Sequence, residues 1–464
     1  MIGIAPAWLA FMFGWHIAMV NLGIGLAWLV PYLRWKAEKA GDEGLERVAR
    51  TLMRFYAATY GLAGVFGTAF TVFLLSYYPE FLGVAGQVAL VPFAISITMI
   101  ALHFFAIVSY WYGWDRWGPV ARNAIGLALG ISALLIPLGF RSVFAFLNIP
   151  AGLQVDATGN EIRYGLDVYA AIFQNPTTIP LYIKSIVAAF TVTFFAVMGG
   201  YAFKYMHAES EEDRQLAIRV IKMMAKPAAV GAVLMIFLGL WYALSLQAIP
   251  YKFNNVFASL GWKVADGRAF YNVSWLFILK MILFAIQFLA LAVAVPKALF
   301  RGSLDNSAAR LLFIAGVAAV LTVPVAEYLN AFSQYPFFIA AWPDVLAGHI
   351  KVTDLVSKYG VSIQPASALP MVVAKINSIV LVDKSGTSAQ GVLESLYKTY
   401  GPQFLPLLEY ARHGVNEIAI LPSVVYITFG FMVFLTAAAI YFLYTILTPA
   451  RKAAAEAKAV AGEH

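Results

Sequence analysis

The sequence contains no cysteine and few charged residues. Without thiols the chain has no disulfide framework and supplies no thiolate ligand for zinc or an iron–sulfur cluster. Charged residues make up 12% of the chain, whereas a soluble domain has roughly 25%. The sequence also has no phosphate-binding loop, nucleophile triad or metalloprotease pair. It therefore gives no support to a hydrolase or a nucleotide-driven machine.

Long apolar runs dominate what is present. Hydrophobic residues are 61% of the chain, and a helix needs about 20 apolar residues to cross a bilayer core of about 30 Å. Runs of this kind occupy nine stretches, namely 7–33, 56–77, 88–112, 123–147, 179–205, 228–246, 273–295, 311–332 and 418–447. We predict an all-α, polytopic integral membrane helix bundle with about nine transmembrane helices, located in the cell membrane.

The loops between these runs alternate in charge. The loop after the first run is basic (Arg34, Lys36, Lys39, Arg47, Arg50 and Arg54), as is the loop after the fifth (Lys204, Arg214, Arg219, Lys222 and Lys226). The loop at 78–87 has no lysine or arginine. The positive-inside rule then places the N-terminus outside and the C-terminus in the cytoplasm. The net charge of +8 reflects topology, and no nucleic-acid partner is predicted.

One segment interrupts the pattern of spans and short loops. Residues 341–417 mix charged positions with short apolar stretches over a length that no turn requires. The predicted organisation is a bundle of eight helices at 1–340, an extracytoplasmic insertion domain or cap at 341–417, a ninth helix at 418–449 and a cytoplasmic tail at 450–464.

Ionisable side chains inside spans are costly and therefore mark candidate functional sites. His16 lies near the middle of the first span, and a neutral imidazole there is a candidate heme-iron ligand. The alternative is a histidine that only hydrogen-bonds between helices. His103, midway along the third span, is a candidate ligand, proton-relay group or interhelical hydrogen-bond partner.

Further candidates lie toward the outer ends of later spans. Lys184 and Lys280 either snorkel toward water or form a charge path together with His103 and Glu327. Glu327 is expected at a depth where it neutralises one of these lysines. Met281 is either a thioether ligand or packing. The remaining histidines, His207, His349, His413 and His464, are expected to be solvated.

Three sequence motifs carry a resemblance to a known family. They are the helix pattern at 16–27, the Gly-Trp-Asp-Arg motif at 113–116 and Gln-Asn-Pro at 174–176. The chain resembles subunit I of cytochrome bd quinol oxidases over its first 205 residues, more weakly to residue 343, and again in the last helix. This resemblance implies that His16 binds the iron of the oxygen-reducing heme. It also implies heme of b or d type as cofactor and a second, related membrane chain as partner.

The chain departs from the family pattern at other positions. The histidine that binds the low-spin heme is replaced by Lys184, and Met281 aligns with that heme's methionine ligand. One third-helix acidic position becomes His103, and the glutamate that binds the high-spin heme b becomes Asp344. The Gly-Arg-Gln-Pro-Trp signature is absent and the quinol-binding loop is reduced to 250–272. We therefore expect the usual quinol site to be missing.

Three functional hypotheses remain open at this point. The first is a heme-bearing membrane subunit of a bd-like respiratory electron-transfer or oxidase complex, with His16 as ligand and His103 or Asp344 as a possible second one. Its electrons would come from another membrane subunit or from a soluble donor docked on the 341–417 cap. The second is a heme-poor structural paralogue that pairs with an active subunit. The third is an ion-translocating or transporter subunit.

Overall fold

The computed structural model describes residues 4–77, 79–159, 161–264, 269–377 and 387–405, together with six isolated positions between 426 and 441. Its helices, in chain order, are α1 (Ile4–Ala40), α2 (Glu43–Tyr77), α3 (Pro79–Val88), α4 (Leu90–Tyr112), α5 (Pro119–Asn148), α6 (Thr178–Met206), α7 (Glu211–Ser245), α8 (Pro250–Phe257), α9 (Ser274–Pro296), α10 (Asn306–Gln334), α11 (Trp342–Leu346), α12 (Val352–Tyr359), α13 (Leu369–Asn377) and α14 (Thr387–Tyr400).

Eight helices in the described part of the chain are long and apolar enough to cross a membrane: α1, α2, α4, α5, α6, α7, α9 and α10. They correspond to the first eight predicted spans, which confirms the polytopic helical membrane fold. The ninth predicted span, 418–447, lies outside the described residues except at the six isolated positions.

Local sequence signals set where several of these helices begin. The Ser210 hydroxyl accepts a hydrogen bond from the Asp213 N–H at the start of α7, and the Asp305 carboxylate accepts one from the Ala308 N–H at the start of α10. Each side chain satisfies a backbone donor that has no partner within the helix. Pro119 opens α5, where its missing N–H costs nothing.

Packing within the bundle reflects a lipid solvent. Helix α1 is central and contacts α2, α5, α6 and α10. Large apolar side chains such as Phe105 on α4, Phe237 on α7 and Ile282 on α9 are exposed on the outside, whereas small side chains such as Ala189 and Ala315 are buried inside. Lipid tails are as apolar as leucine, so close approach of the helices stabilises the bundle.

A close helix crossing joins α6 and α10 at two glycines. A Cβ atom built on Gly199 would lie 3.0 Å from the Gly316 Cα, and one built on Gly316 would lie 2.8 Å from the Phe195 carbonyl oxygen. Both obstructing groups are backbone, so neither moves without displacing a helix. Gly199 and Gly316 therefore set the spacing of α6 and α10.

We expect Gly316→Leu to force these helices apart and to destabilise the protein by at least about 1–3 kcal/mol, the usual cost of overpacking. The measurement is thermal unfolding of the purified protein in detergent. Gly239→Leu is the matched control, because a Cβ at Gly239 on α7 meets nothing within 4 Å. Equal midpoints for the two variants would contradict the assigned crossing.

A small sheet, not predicted from the sequence, lies beyond one end of the bundle. Strand β1 (Leu153–Asp156) pairs antiparallel with β2 (Arg163–Leu166) and parallel with β3 (Ser362–Gln364). The strands have three or four residues each, too few for an alternating pattern to register in the sequence. The sheet joins the α5–α6 connection to the segment that follows α10.

A second hydrophobic core underlies this sheet. It combines Ile149 and Leu153 of the α5–α6 connection with Phe253 of α8 and with Trp342 and Val373 of the later segment. The described part of 341–417 thus shares its core with two other connections and is not an independently packed unit. We call this composite of the described residues within 149–177, 246–273 and 335–405 the end layer.

Candidate functional site

His16 occupies a defined position on α1. Its Nδ1 lies 2.8 Å from the Ala63 carbonyl oxygen on α2. Because a carbonyl only accepts hydrogen bonds, Nδ1 carries the proton and the Nε2 lone pair faces away from this contact. No described residue bonds to that nitrogen. A second-sphere carbonyl of this kind fixes the tautomer of a histidine that binds a metal through Nε2.

The backbone around His16 leaves room for its ring. A Cβ on Gly67, one turn beyond Ala63, would lie 2.7 Å from the His16 Cε1 atom, and a Cβ on Gly14 would lie 3.1 Å from Pro324 on α10. Phe13 contributes an aromatic wall, with its ring centroid 4.9 Å from that of Phe144 on α5. Helices α1, α2, α5 and α10 thus all meet around this histidine.

A buried ion pair lies beside this site. The Arg141 guanidinium on α5 donates to the Glu327 carboxylate on α10 at 3.2 Å, with side-chain exposures of 7% and 10%. Both groups are within electrostatic range of His16. The direct partner of Glu327 is thus Arg141, and Glu327 also acts electrostatically on Lys184, as was expected for one of the two lysines. Arg141 was missed from the sequence, although an arginine late in the span 123–147 was the available signal.

Lys184 lies near this ion pair but does not bond to it, and Lys280 lies near Lys184. The Lys184 ammonium stands 4.2 Å from the centre of the Tyr242 ring, and the Lys280 ammonium stands 5.2 Å from the centre of the Phe277 ring. Lys184 is within electrostatic range of Lys280, Arg141 and Glu327. Lys184 therefore has a second lysine, an arginine and a glutamate in its electrostatic surroundings.

His103 forms a polar chain across three helices. Tyr56 on α2 donates its hydroxyl proton to the His103 Nε2 at 2.5 Å, and Nδ1 lies 2.8 Å from the Ser132 hydroxyl on α5. Ser132 in turn donates to the Ala128 carbonyl oxygen at 2.7 Å. Both ring nitrogens are engaged, so this arrangement favours the hydrogen-bonding alternative over iron ligation.

The structure does not bring Met281 or Asp344 to His16. Met281 is 42% exposed on the outside of α9. Asp344 is fully buried in the end layer, where one carboxylate oxygen accepts from the Tyr251 N–H at 2.9 Å and the other lies 3.3 Å from the His349 Nδ1. Burial raises the pKa of Asp344, and the two hydrogen bonds oppose that shift. His349, expected to be solvated, is its partner.

Lys252 is a second group that the sequence analysis missed. It lies on α8, is 1% exposed and donates to Asn148 at 2.6 Å, Asn330 at 2.7 Å and Gln334 at 3.1 Å. Burial lowers its pKa to about 7, whereas three amide oxygens stabilise the ammonium form. In the sequence Lys252 lies in the shortened 250–272 loop and carries no sign of burial. In the fold it fastens that loop to α5 and α10.

The Gly-Trp-Asp-Arg motif ties together the helix ends at the opposite side of the bundle. The buried Trp114 donates its indole proton to Glu46 at 2.9 Å, while Arg34 and Arg50 stand 5.2 and 5.4 Å from its ring centre. Arg50 also donates to Asp115 at 2.6 Å, and this bond holds the pKa of that carboxyl below its usual range. The motif thus has a structural role at this end of α1, α2 and α4.

Of the predicted ligands in the described part of the chain, His16 alone keeps a nitrogen without a protein partner. His16 offers an oriented nitrogen ligand, whereas Lys184, His103 and Asp344 are all held by other groups. The described residues contain no group of three or more histidines and carboxylates that could hold a bare metal ion. A single histidine with a nearby glycine suits heme iron, because the porphyrin supplies the iron's equatorial ligands.

Comparison with known proteins agrees with the fold and the His16 helix. The family model described as Cytochrome bd terminal oxidase subunit I matches residues 4–259. The protein named "Putative cytochrome bd menaquinol oxidase subunit I" from Bacillus subtilis (strain 168) is 26% identical over 199 residues, 43% of this chain and 44% of that protein. The matched region thus spans less than half of that curated relative.

A solved structure extends the likeness beyond the region of sequence similarity. The bd oxidase from Geobacillus thermodenitrificans superposes with a TM-score of 0.62 and 17% identity, covering 86% of this chain and 100% of that chain. At this identity the likeness concerns the fold alone. Because the family model covers more than half of its residues, the chain belongs to the cytochrome bd terminal oxidase subunit I family.

Proposed function

We propose that this chain is a heme-binding membrane subunit of a bd-like respiratory electron-transfer complex, with a heme of b or d type on His16. The supporting observation is the hydrogen bond from His16 Nδ1 to the Ala63 carbonyl, which leaves the Nε2 lone pair for a metal. A heme bound there would supply the redox-active iron. Family membership gives the coarse assignment, and the ligand is our inference.

The chain's own residues support such a site in three ways. Ala63 orients the imidazole, and Gly67 allows it to pack against α2. The Arg141–Glu327 pair places one cation and one anion within range of the site. A macrocycle with acidic side groups would meet a buried guanidinium there, and Glu327 would limit the excess positive charge.

We further propose that His103 belongs to a proton path toward His16. The hydroxyls of Tyr56 and Ser132 flank its two ring nitrogens, so a proton can pass from one side of the ring to the other. Tyr56 precedes Ala63 by seven residues on α2, a rise of about 10 Å. Lys184, Lys280 and Glu327 would lie on the other side of His16, where they would gain or lose protons as the redox state of the heme changes.

We propose that the electrons do not come from a quinol bound at the usual loop. The 250–272 segment is short, and Lys252 fastens α8 to Asn148 and Asn330. Lys184 occupies the position of the low-spin heme ligand and stacks on Tyr242. We therefore favour another membrane subunit, or a soluble donor on the 341–417 part of the end layer, as the electron donor.

A second candidate function is a heme-poor structural paralogue of subunit I that pairs with an active chain. The engagement of Lys184, His103 and Asp344 by protein groups favours it. The two candidates differ in heme content. An ion-translocating subunit is a weaker third candidate, because among the described residues His103 bonds to Tyr56 and Ser132 and not to Lys184, Lys280 or Glu327.

The experiment is heme analysis of the purified complex. We expect a reduced-minus-oxidised difference spectrum typical of a b- or d-type heme. We also expect about one heme for each copy of this chain, counted by acid–acetone extraction against protein mass. The same membranes without the expressed chain give the background. A folded complex in which this chain carries no heme would reject the first function in favour of the second.

A further inference from the structure

The Gly-Trp-Asp-Arg motif borders a cleft that the proposed function does not use. Its volume is about 310 Å³, and its walls include Arg50, Arg54, Arg116, Asp115, Trp111 and Tyr112. These residues come from the first turns of α2, from the end of α4 and from the turn that follows α4. The cleft is far from His16 along α2, since Arg54 precedes Ala63 by nine residues, or about 13 Å of helix.

The cleft carries an excess of positive charge. The Arg50 guanidinium donates a hydrogen bond to the Asp115 carboxylate at 2.6 Å, and this bond lowers the pKa of that carboxyl. The side chains of Arg54 and Arg116 form no hydrogen bond or ion pair with any described residue, and both residues are exposed. Two guanidinium groups therefore remain for a ligand, and a phosphate is the anion whose geometry they match.

The position of the cleft places it at the edge of the membrane. The span formed by α4 ends at Tyr112, where Trp111 and Tyr112 are exposed, the latter to 68%. Exposed aromatic residues at a span end are typical of the headgroup region. Phe105 and Val108 are also exposed and lie two turns and one turn, respectively, before Tyr112 on the same face of α4. An apolar strip thus runs from the cleft toward the bilayer centre.

We propose that this cleft binds the phosphate headgroup of an anionic phospholipid, with its acyl chains along the Phe105–Val108 strip. Arg54 and Arg116 bind the phosphate, and Trp111 and Tyr112 flank the glycerol region. Basic pockets between membrane helices recognise acidic headgroups in this way. The motif then has two roles: Trp114 connects the helix ends, and Arg116 binds the lipid phosphate.

The test uses the full chain in detergent, titrated with phosphatidylglycerol and observed by native mass spectrometry. We expect saturable binding of a first lipid that phosphatidylcholine does not reproduce. Each surface arginine contributes about fivefold in affinity, so Arg54→Gln and Arg116→Gln should each weaken binding about fivefold and the double variant about 25-fold. Arg163→Gln is the matched control, since this arginine on β2 is exposed and far from the cleft.

Other outcomes overturn the proposal. Equal affinity for phosphatidylcholine, or an equal loss in Arg163→Gln, would mean that no specific headgroup site exists. Competition by inorganic phosphate at the affinity of the lipid would assign a small-anion site instead. Loss of a co-purifying membrane subunit with unchanged lipid affinity would assign a protein interface. Because each single variant removes no protein contact, it is expected to fold, and thermal unfolding verifies this.

Discussion

His16→Ala is expected to abolish the heme signal of this chain while the helix bundle still forms. The variant removes the nitrogen ligand offered on α1, and among the described residues no other free imidazole or carboxylate lies at that place. The α1–α2 packing loses one ring and one hydrogen bond, a cost of about 1–3 kcal/mol. The measurement is the difference spectrum at equal protein concentration, together with the helical circular dichroism signal.

Two further variants make the His16 result specific. His207→Ala removes an exposed histidine at the end of α6 and should leave the spectrum unchanged. Gly67→Ala places a methyl group 2.7 Å from the His16 ring, so it should shift the spectrum or lower heme occupancy. Imidazole added to His16→Ala should restore part of the signal. An unchanged spectrum in His16→Ala would reject this ligand.

Removal of Glu327 is expected to produce the largest loss of stability. Glu327→Met leaves the Arg141 guanidinium buried without its counterion, which costs roughly 3–5 kcal/mol. Glu327 is also the one carboxylate among the groups that act on Lys184, the others being Lys280, Arg141 and Lys252. Glu327→Met should therefore destabilise more than Arg141→Met. Unfolding midpoints in detergent measure both.

A double-mutant cycle separates the ion pair from its surroundings. Arg141→Met combined with Glu327→Met should recover most of the lost stability, because two apolar side chains of similar volume remove both buried charges. Asp115→Asn, which breaks the exposed Arg50–Asp115 pair, is the control and should cost about 1 kcal/mol or less. Strict additivity of the two methionine variants would show that Arg141 and Glu327 are not coupled.

Helix number and position could be predicted from the sequence because crossing a bilayer imposes a length and a composition on each span. All eight spans in the described residues follow from apolar runs of the expected length. His16 and His103 could also be found, since an imidazole within such a run is conspicuous. The end layer could not, because its short strands and helices lack a periodic pattern and its core joins three distant connections.

The pairing of charges was decided by the tertiary structure. Glu327 was predicted to lie close enough to a lysine to neutralise it, and it does act on Lys184. Its direct partner, however, is Arg141, 186 residues earlier in the chain. Lys252 reads as a loop residue, yet it is buried among amide groups from α5 and α10. By itself the sequence determined which side chains lie in the apolar helices. Which of them meet depends on the rotation and spacing of neighbouring helices, set by contacts such as Gly199 with Gly316, and no local pattern encodes that geometry.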